Sequence, residues 1–596
     1  ASEKQSNVTE KNASAEEKNQ NQATKMPDLA AMKKPSFSKE EKNRARAIVE
    51  IDRTINNVVK YKEALLQSPE LELQVLFNAL QGGYVAPSSG GDPIANTKAL
   101  PTGHNLYSIN AEMTPSEVAW DRGVALAQNI IETYLKKHGE YPKKIAYTFW
   151  SSEFIETEGV SIAQALYMLG VEPLRDSFGR ITDLRLIPSS ELKRPRIDVV
   201  IQTSGQFRDL AASRLFLLTK AIEMAASATD EGFENQVSKG SESIEKALVE
   251  KGISPKEARE LAKQRIFGGL GGGYSTGTKE LMLASDKWET QNDIAEVYIN
   301  NMGAVYGVEK EWGDHRAALF EASLQNTDVL IQPRQNNTWG ALSLDHVFEF
   351  MGGMNTAIKK VTGKDPDAYL ADYRNHNRMR MQELKEALGV EARATIFNPK
   401  YIKDMLKGGK SSAAGITELA TNAFGWEATR SEVIDDEFWN QLHDLYILDK
   451  ENLGIQAFYE RENPAAMQEI TAVMLETARK GFWKASEEQL NTLRNRYVDL
   501  VERFGLEASG FAGGNAKLQE HIAQSLPENQ RTAYQNQIQK AKSGSTSVET
   551  KDGKVLRKEE TSGAKEKVNL NGLWIGVGVL VAFVGLIIFI RKRRKK

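Results

Sequence analysis

The stretch GLWIGVGVLVAFVGLIIFI, Gly572–Ile590, contains no charged residue. At about 1.5 Å per residue it makes a helix roughly 28 Å long, close to the hydrocarbon thickness of a bilayer. A buried helix of that length in a globular core would show a polar face, and this one has none. It is therefore predicted to be a transmembrane helix, with Trp574 at one interface and the basic tail RKRRKK at the other. The positive-inside tendency places that tail in the cytoplasm. The expected location is the inner (cytoplasmic) membrane, single-pass, with the body facing the periplasm. The preceding flank, KVLRKEETSGAKEKVNLN, also holds lysines, but mixed with acidic residues.

The 596 residues are 40% apolar, enough for a sizeable core and too many for one ordinary domain. A chain that begins with alanine rather than methionine is expected to be a processed product or a segment of a longer protein. There is no cysteine. That excludes thiolate zinc sites, iron–sulfur clusters, disulfides and cysteine nucleophiles, and leaves the redox compartment open. Formal net charge is −3 although the last six residues are all basic, so the body is acidic. It lacks the basic face of a nucleic-acid binder, and no nucleic-acid partner is expected.

Residues 1–35 are polar and are expected to be disordered. Helical periodicity runs through SFSKEEKNRARAIVEIDRTINNVVKYKEALLQ. It gives way to QGGYVAPSSGGDPIANTKALPTGHN, and Gly/Pro/Ser-rich loops of about 25 residues are usually functional or disordered. The helix SEVAWDRGVALAQNIIETYLKKHG follows at once, with Thr114 or Ser116 as N-cap. Strands (KKIAYTFW, ITDLRLIP, RIDVVIQT) then alternate with helices (GVSIAQALYMLG, FRDLAASRLFLLTKAIEMAA), which predicts an α/β fold built on an open α/β sheet. Ligands of such sheets sit beyond the carboxyl ends of strands, where TSGQFRD falls. From about 240 the sequence is mainly helical, interrupted by RIFGGLGGGYSTGTKELM. The predicted organisation is an α/β region over 36–240, a large helical region over 241–510, a helical tail and polar tether over 511–571, the membrane helix over 572–590 and the cytoplasmic tail over 591–596.

Three constellations bear on chemistry. His104 beside Asn105, at the end of the long loop, suits a metal ligand or a donor to a carboxylate, although a lone histidine is more often structural. The guanidinium fork of Arg208 suits a carboxylate ligand, with an ion pair to Asp209 as the alternative. LSLDHVFEFMGGM sets Asp345 beside His346, but successive helical residues point apart, so both need not serve one site. The glycines of FGGLGGGY are not a P-loop, since no Gly-Lys-Ser/Thr follows. PKEARELAKQRIF before them reads as a helix, not the strand a dinucleotide fingerprint needs. What remains is backbone able to approach a flat or anionic ligand closely, or a flexible linker.

The words ALPTGHN, LGVEP, RPRIDVVIQTSGQFRD, RIFGGLGGGYSTG, DIAEVYINNMGAVYG, GGM at 352–354, FNPKYI at 397–402 and FGWEAT at 424–429 run in order over about 75–500. Together they resemble the back half of the large subunit of the CobN/magnesium-chelatase H superfamily. Within it they look most like the membrane-anchored branch found with bacterial haem-uptake genes, the HmuS type. The resemblance implies an enzyme that moves a divalent metal into a tetrapyrrole with separate ATPase subunits. For the anchored branch it implies a haem dechelatase, which removes iron and leaves free porphyrin. The family's His-Gly-Thr-His-Gly-x-x-Glu motif is absent from these residues. An N-terminal half or a partner chain is expected to carry it.

On that resemblance, His104 stands where the insertion enzymes usually carry lysine or arginine. It is the expected catalytic group, as axial ligand or proton donor, with Asn105 beside it. Arg208 would pair with propionates, and Gly271, Gly272, Gly273 and Tyr274 would form a wall against the ring. Asp345 matches a family aspartate and, with His346, is the expected site of a divalent cation, although QPRQNNTWGALSLDH replaces much of the surrounding acidic pattern. Haem is the expected substrate or ligand, an external reductant a possible co-reactant, and haem-uptake transporter components further partners. Two other functions stay open: insertion of cobalt or magnesium with ATPase partners, and haem binding at the membrane without chemistry.

Overall fold

The computed structural model describes residues 39–90, 99–107, 109–271, 273–334, 340–375, 378–507 and 510–544. Seven strands share one sheet: β1 (Lys144–Phe149), β2 (Asp198–Thr203), β3 (Ile266–Gly268), β4 (Ala304–Val305), β5 (Thr327–Arg334), β6 (Asp367–Asp372) and β7 (Arg380–Glu383). Their order is β7-β6-β5-β1-β2-β3-β4. The five central strands are parallel, and each edge strand is antiparallel to its neighbour. β1 and β2 are buried along their whole length, so they read as unbroken runs where a half-exposed strand would alternate.

Helices cover both faces. Ile145, Tyr147 and Phe149 point into a core shared with α2 (Glu117–His138), α4 (Val160–Met168) and α6 (Ala212–Ala226). Ala146, Val200 and Leu330 point the other way, into a core with α7 (Gln291–Asn301), α8 (Gly353–Thr362), α9 (Lys410–Thr429) and α10 (Pro464–Arg479). That split is the period of two expressed in packing. Two further helices, α3 (Ser151–Thr157) and α5 (Gly205–Leu210), start directly beyond β1 and β2. α2 shows why the ends fall where they do. The Ser116 hydroxyl accepts from the Ala119 N–H at 3.2 Å, Glu117 opens the first turn, and Lys136, Lys137 and His138 close the last before Gly139 at φ 77°.

The sheet crosses the expected boundary at 240. The region predicted to be helical supplies β3 to β7, and β5 lies at the centre of the sheet between β1 and β6. The helix predicted through PKEARELAKQRIF stops at Leu261. Ile266 and Phe267, both fully buried, then form β3 in parallel with β2. Conversely ITDLRLIP is a strand, Ile181–Leu186, but it pairs only with Val171–Arg175 in a separate antiparallel ribbon. Among the described residues no helix is long and apolar enough to cross a membrane. The predicted transmembrane helix 572–590, the tail 591–596 and the predicted disordered segment 1–35 lie outside the described residues.

The amino ends of β1, β2 and β3 are clamped by a buried charge cluster. Lys144 Nζ lies 3.2 Å from Asp198 Oδ2, and Arg265 Nε lies 3.2 Å from Asp198 Oδ1. All three side chains are at most 1% exposed. Lys144 also donates to the Ser323 carbonyl at 2.8 Å, tying in the turn before β5.

Candidate functional site

At the carboxyl ends the strands separate. The β1–β5 ladder stops at Tyr147 opposite Ile331, and β5 continues through Pro333, which has no N–H to offer either neighbour. Successive strands leave β1 in opposite directions, β2 to one side and β5 to the other. The gap is therefore the topological switch point, where open α/β sheets take their ligands.

Three rings stand there. Trp150 follows β1 directly, and His346 lies in the helical turn after β5, their ring centroids 6.1 Å apart. Phe350 is 5.0 Å from Trp150 and 6.3 Å from His346. His346 Nδ1 is 2.8 Å from Glu349 Oε2, one turn on. The Glu349 carboxylate is 1% exposed. Its Oε1 accepts from the Ser275 hydroxyl at 2.6 Å, the Thr276 N–H at 2.6 Å and the Thr276 hydroxyl at 3.0 Å. Burial pushes Glu349 upward, but the imidazole and these donors hold it below the ordinary carboxylate range. The same hydrogen bond raises His346 against its own desolvation.

Glycines shape this turn, which is π-helical over Phe348–Gly352. A Cβ on Gly352 would lie 2.3 Å from the Thr429 hydroxyl, and one on Gly425 would lie 2.7 Å from the Phe348 ring. GGM and FGWEAT are thus two sides of one helix contact. Glu391 accepts from the Leu342 and Ser343 N–H groups at 3.1 and 2.9 Å, and Trp426 donates to the Ala341 carbonyl at 2.6 Å, fixing the approach to His346.

Ser275 connects His346 and Glu349 to the glycine loop. Gly271, Gly273 and Tyr274 are exposed there, and Gly272 lies outside the described residues. The Tyr274 ring covers Gly205, where a Cβ would come within 2.5 Å of it. Tyr274 donates to Asp209 Oδ2 at 3.2 Å. Arg208 Nε donates to Asp209 Oδ1 at 2.8 Å, and its Nη1 to the Gly269 carbonyl at 3.3 Å and the Tyr306 hydroxyl at 3.1 Å. Arg208 is 5% exposed, so its guanidinium braces the loop and makes the ion pair with Asp209 that the sequence offered as the alternative.

Asp345 forms an ion pair with Lys279. Burial would raise its pKa, but Lys279 and the neighbouring His346 hold it low. Among the described residues no group of three or more His, Asp or Glu side chains is placed to hold a metal ion. Asp345 is engaged by Lys279 and His346 Nδ1 by Glu349, which leaves His346 Nε2 as the ring nitrogen open to a ligand.

His104 and Asn105 sit on a different support. Among the described residues neither shares a hydrogen bond, ion pair or ring contact with Arg208, Tyr274, Asp345 or His346. The Pro-Thr-Gly turn rests on the long helix α1 (Lys39–Leu80): the Thr102 N–H donates to the Ser68 hydroxyl at 3.0 Å. Gly103, at φ 109°, holds a backbone conformation that strains any side chain, and a Cβ there would crowd the Glu72 nitrogen at 3.2 Å. His104 Nδ1 donates to the Ala86 carbonyl at 3.0 Å, which leaves Nε2 without a protein partner among the described residues. Asn105 donates to the Ser89 and Ala99 carbonyls at 2.7 and 3.0 Å. Further on, Arg214 of α6 holds the chain at the Thr114 carbonyl (3.1 Å) and the Glu112 carboxylate (2.6 Å).

Sequence reasoning passed over Trp150, Ser275 and Glu349. The signal for Glu349 was its place three residues beyond His346, and for Trp150 its place at the end of a strand run. Cavities of about 130 and 280 Å³ lie elsewhere, one beside Asp367 and Arg430, the other beside Leu388 and Phe438, and none of the expected site residues lines either.

The sequence profile described as CobN/Magnesium Chelatase matches residues 1–490. An uncharacterized protein of Methanocaldococcus jannaschii is 33% identical over 455 residues, 76% of this chain and 36% of that protein. The aerobic cobaltochelatase subunit CobN of Pseudomonas aeruginosa is 31% identical over 434 residues, 72% of this chain and 34% of its own length. The catalytic subunit of cobaltochelatase from Mycobacterium tuberculosis superposes with a TM-score of 0.66 at 29% identity, covering 72% of this chain and 36% of that one. The chain thus spans about a third of the length of the relatives it matches. It belongs to the CobN/magnesium chelatase family.

Proposed function

We propose that the chain is the ring-handling segment of a membrane-tethered tetrapyrrole chelatase, and that it works on haem in the removal direction. The observation that carries this reading is the His346–Glu349 pair at the switch-point crevice, among Trp150, Phe350 and the glycine loop. Ferrous porphyrin and two protons give metal-free porphyrin and Fe²⁺, with no change of oxidation state. Two pyrrole nitrogens must therefore be protonated as the metal leaves. An imidazole backed by a buried carboxylate delivers a proton from Nε2 and recovers one from solvent, the His346 side chain being 45% exposed. Two such passages complete the exchange. Aromatic rings and bare glycine backbone suit the face and edge of a planar macrocycle. Tyr274 and the glycines supply that wall, while Arg208, buried and paired with Asp209, braces the loop behind it.

His104 favours haem as the ring. Its Nδ1 is occupied by a carbonyl, so Nε2 is the nitrogen free to bind iron, a bond a lysine ammonium cannot make. Ferric haem first takes one electron from an external reductant. Residues 572–590 tether the body on the periplasmic side of the inner membrane, beside haem-uptake components. A further polypeptide region contributes the missing His-Gly-Thr-His-Gly-x-x-Glu motif. Metal insertion is the competing reading, favoured by the names of the relatives, which are cobaltochelatase and magnesium-chelatase subunits. The test is anaerobic incubation of the detergent-extracted complete protein with haem and dithionite, followed by porphyrin fluorescence. Free porphyrin, reduced at least tenfold by His346→Ala, is the expected result. An unchanging haem spectrum means binding only, and cobalt uptake that requires ATPase subunits means insertion; either outcome overturns removal.

A further inference from the structure

The long helix α1 has two faces of opposite character. One, marked by Ser68 and Leu71, is seated against the Pro-Thr-Gly turn that leads to His104. The other carries Ile51, Ile55, Val58, Leu65, Leu76 and Leu80, each between 54% and 74% exposed. At 100° per residue these fall on one stripe, centred well away from Ser68. From Ile51 to Leu80 the stripe runs roughly 44 Å. Soluble monomers rarely expose contiguous apolar surface on this scale.

We infer that this stripe is the docking surface for the part of the chelatase large subunit that lies beyond the third matched here. Three observations select that occupant. The family match covers residues 1–490, so α1 belongs to the shared portion. The relatives carry about twice as much chain again, since the match takes up 30–36% of their length. Finally, with Val59 and Phe77 included, the stripe covers about 120° of the helix, wider than the two-in-seven seam through which two helices pair. Lys62 and Pro69 interrupt its centre, so a second copy of α1 would meet a charge and a break in the heptad where a zipper needs apolar residues. A broad, shaped protein surface fits, and a single helix does not. Because α1 also supports the His104 turn, docking would set the position of His104 relative to the crevice.

The inference rests on the chelatase reading of the chain but not on the direction of metal transfer. Its test exploits the absence of cysteine. Val58→Cys, Phe77→Cys and, on the opposite side of the helix, Lys60→Cys are each labelled with benzophenone maleimide in the complete membrane-extracted protein, irradiated without haem, and analysed by peptide mass spectrometry. Cross-links from Val58→Cys and Phe77→Cys are expected in sequence that aligns with the unmatched two-thirds of the cobaltochelatase and magnesium-chelatase subunits, at least fivefold above Lys60→Cys. Cross-links to a second copy of α1, to residues 572–590, to lipid, or equally from all three positions would overturn it. Since no haem is present, a negative haem assay leaves this result intact, and the reverse also holds.

Discussion

Glu349 accepts four hydrogen bonds while almost wholly buried, and one of the donors is the exposed imidazole of His346. Its negative charge fixes the proton on Nδ1 and leaves Nε2 facing outward. Glu349→Gln keeps the volume but turns an amide N–H₂ towards Nδ1, which reverses the tautomer. Porphyrin release is expected to fall about 10- to 100-fold, with a loss of about 1–3 kcal/mol in stability from the weakened Ser275 and Thr276 bonds. Initial rates and thermal melts measure the two effects separately, and an unchanged rate would remove the pair from the chemistry. This residue was hidden by the plainer signal beside it. Asp345 and His346 drew notice as neighbours, whereas folding gives Asp345 to Lys279 and pairs His346 with the carboxylate one turn later. Arg208 shows the same limit: its residue type suggests an anion ligand, and only burial reveals that its donors hold the Gly269 loop.

Among the elements, β1 and β2 were legible because strands buried on both faces are written as continuous apolar runs. β3 was not, since three residues carry no period and the helical residues before them dominate any window. β5 was masked differently. Its run TDVLIQPR follows the helix Ala317–Ser323 after only a short turn at Asn326, φ 60°, and has a proline as its penultimate residue. Within α9, Glu427 is 3% exposed, and burial, with Asp436 and Asp435 nearby, pushes its pKa up to about 8. Folding therefore favours the protonated acid. Its contribution is complete below pH 4.5, declines as pH rises, and is lost above about pH 8, a span worth on the order of 5 kcal/mol. Glu427→Gln should melt a few degrees above the parent near pH 8, with the gap closing towards pH 5. A gap independent of pH would show that Glu427 is not the titrating group.

At the scale of the whole molecule, composition and collinear words identified the family and the α/β class, while the sheet takes its strands from both sides of the predicted division at 240. Long-range pairing of that kind leaves no local mark. The proposed tether belongs at this scale too. Removing residues 572–596 is expected to move the protein from the carbonate-resistant membrane fraction to the supernatant without changing its melting temperature, because the body packs on its own two cores. Retention in the membrane fraction would contradict the anchor.

The Lys144–Asp198–Arg265 cluster gives the sheet a fixed hinge line. With one margin locked by charges out of reach of water and the other ending its ladder early at Ile331, the strands behave like fingers joined at the palm. Any widening needed to admit a bulky planar guest must be confined to the tips. The crevice then opens beyond Tyr147 and Ile331, while the far margin keeps the register of the strands that lead to it.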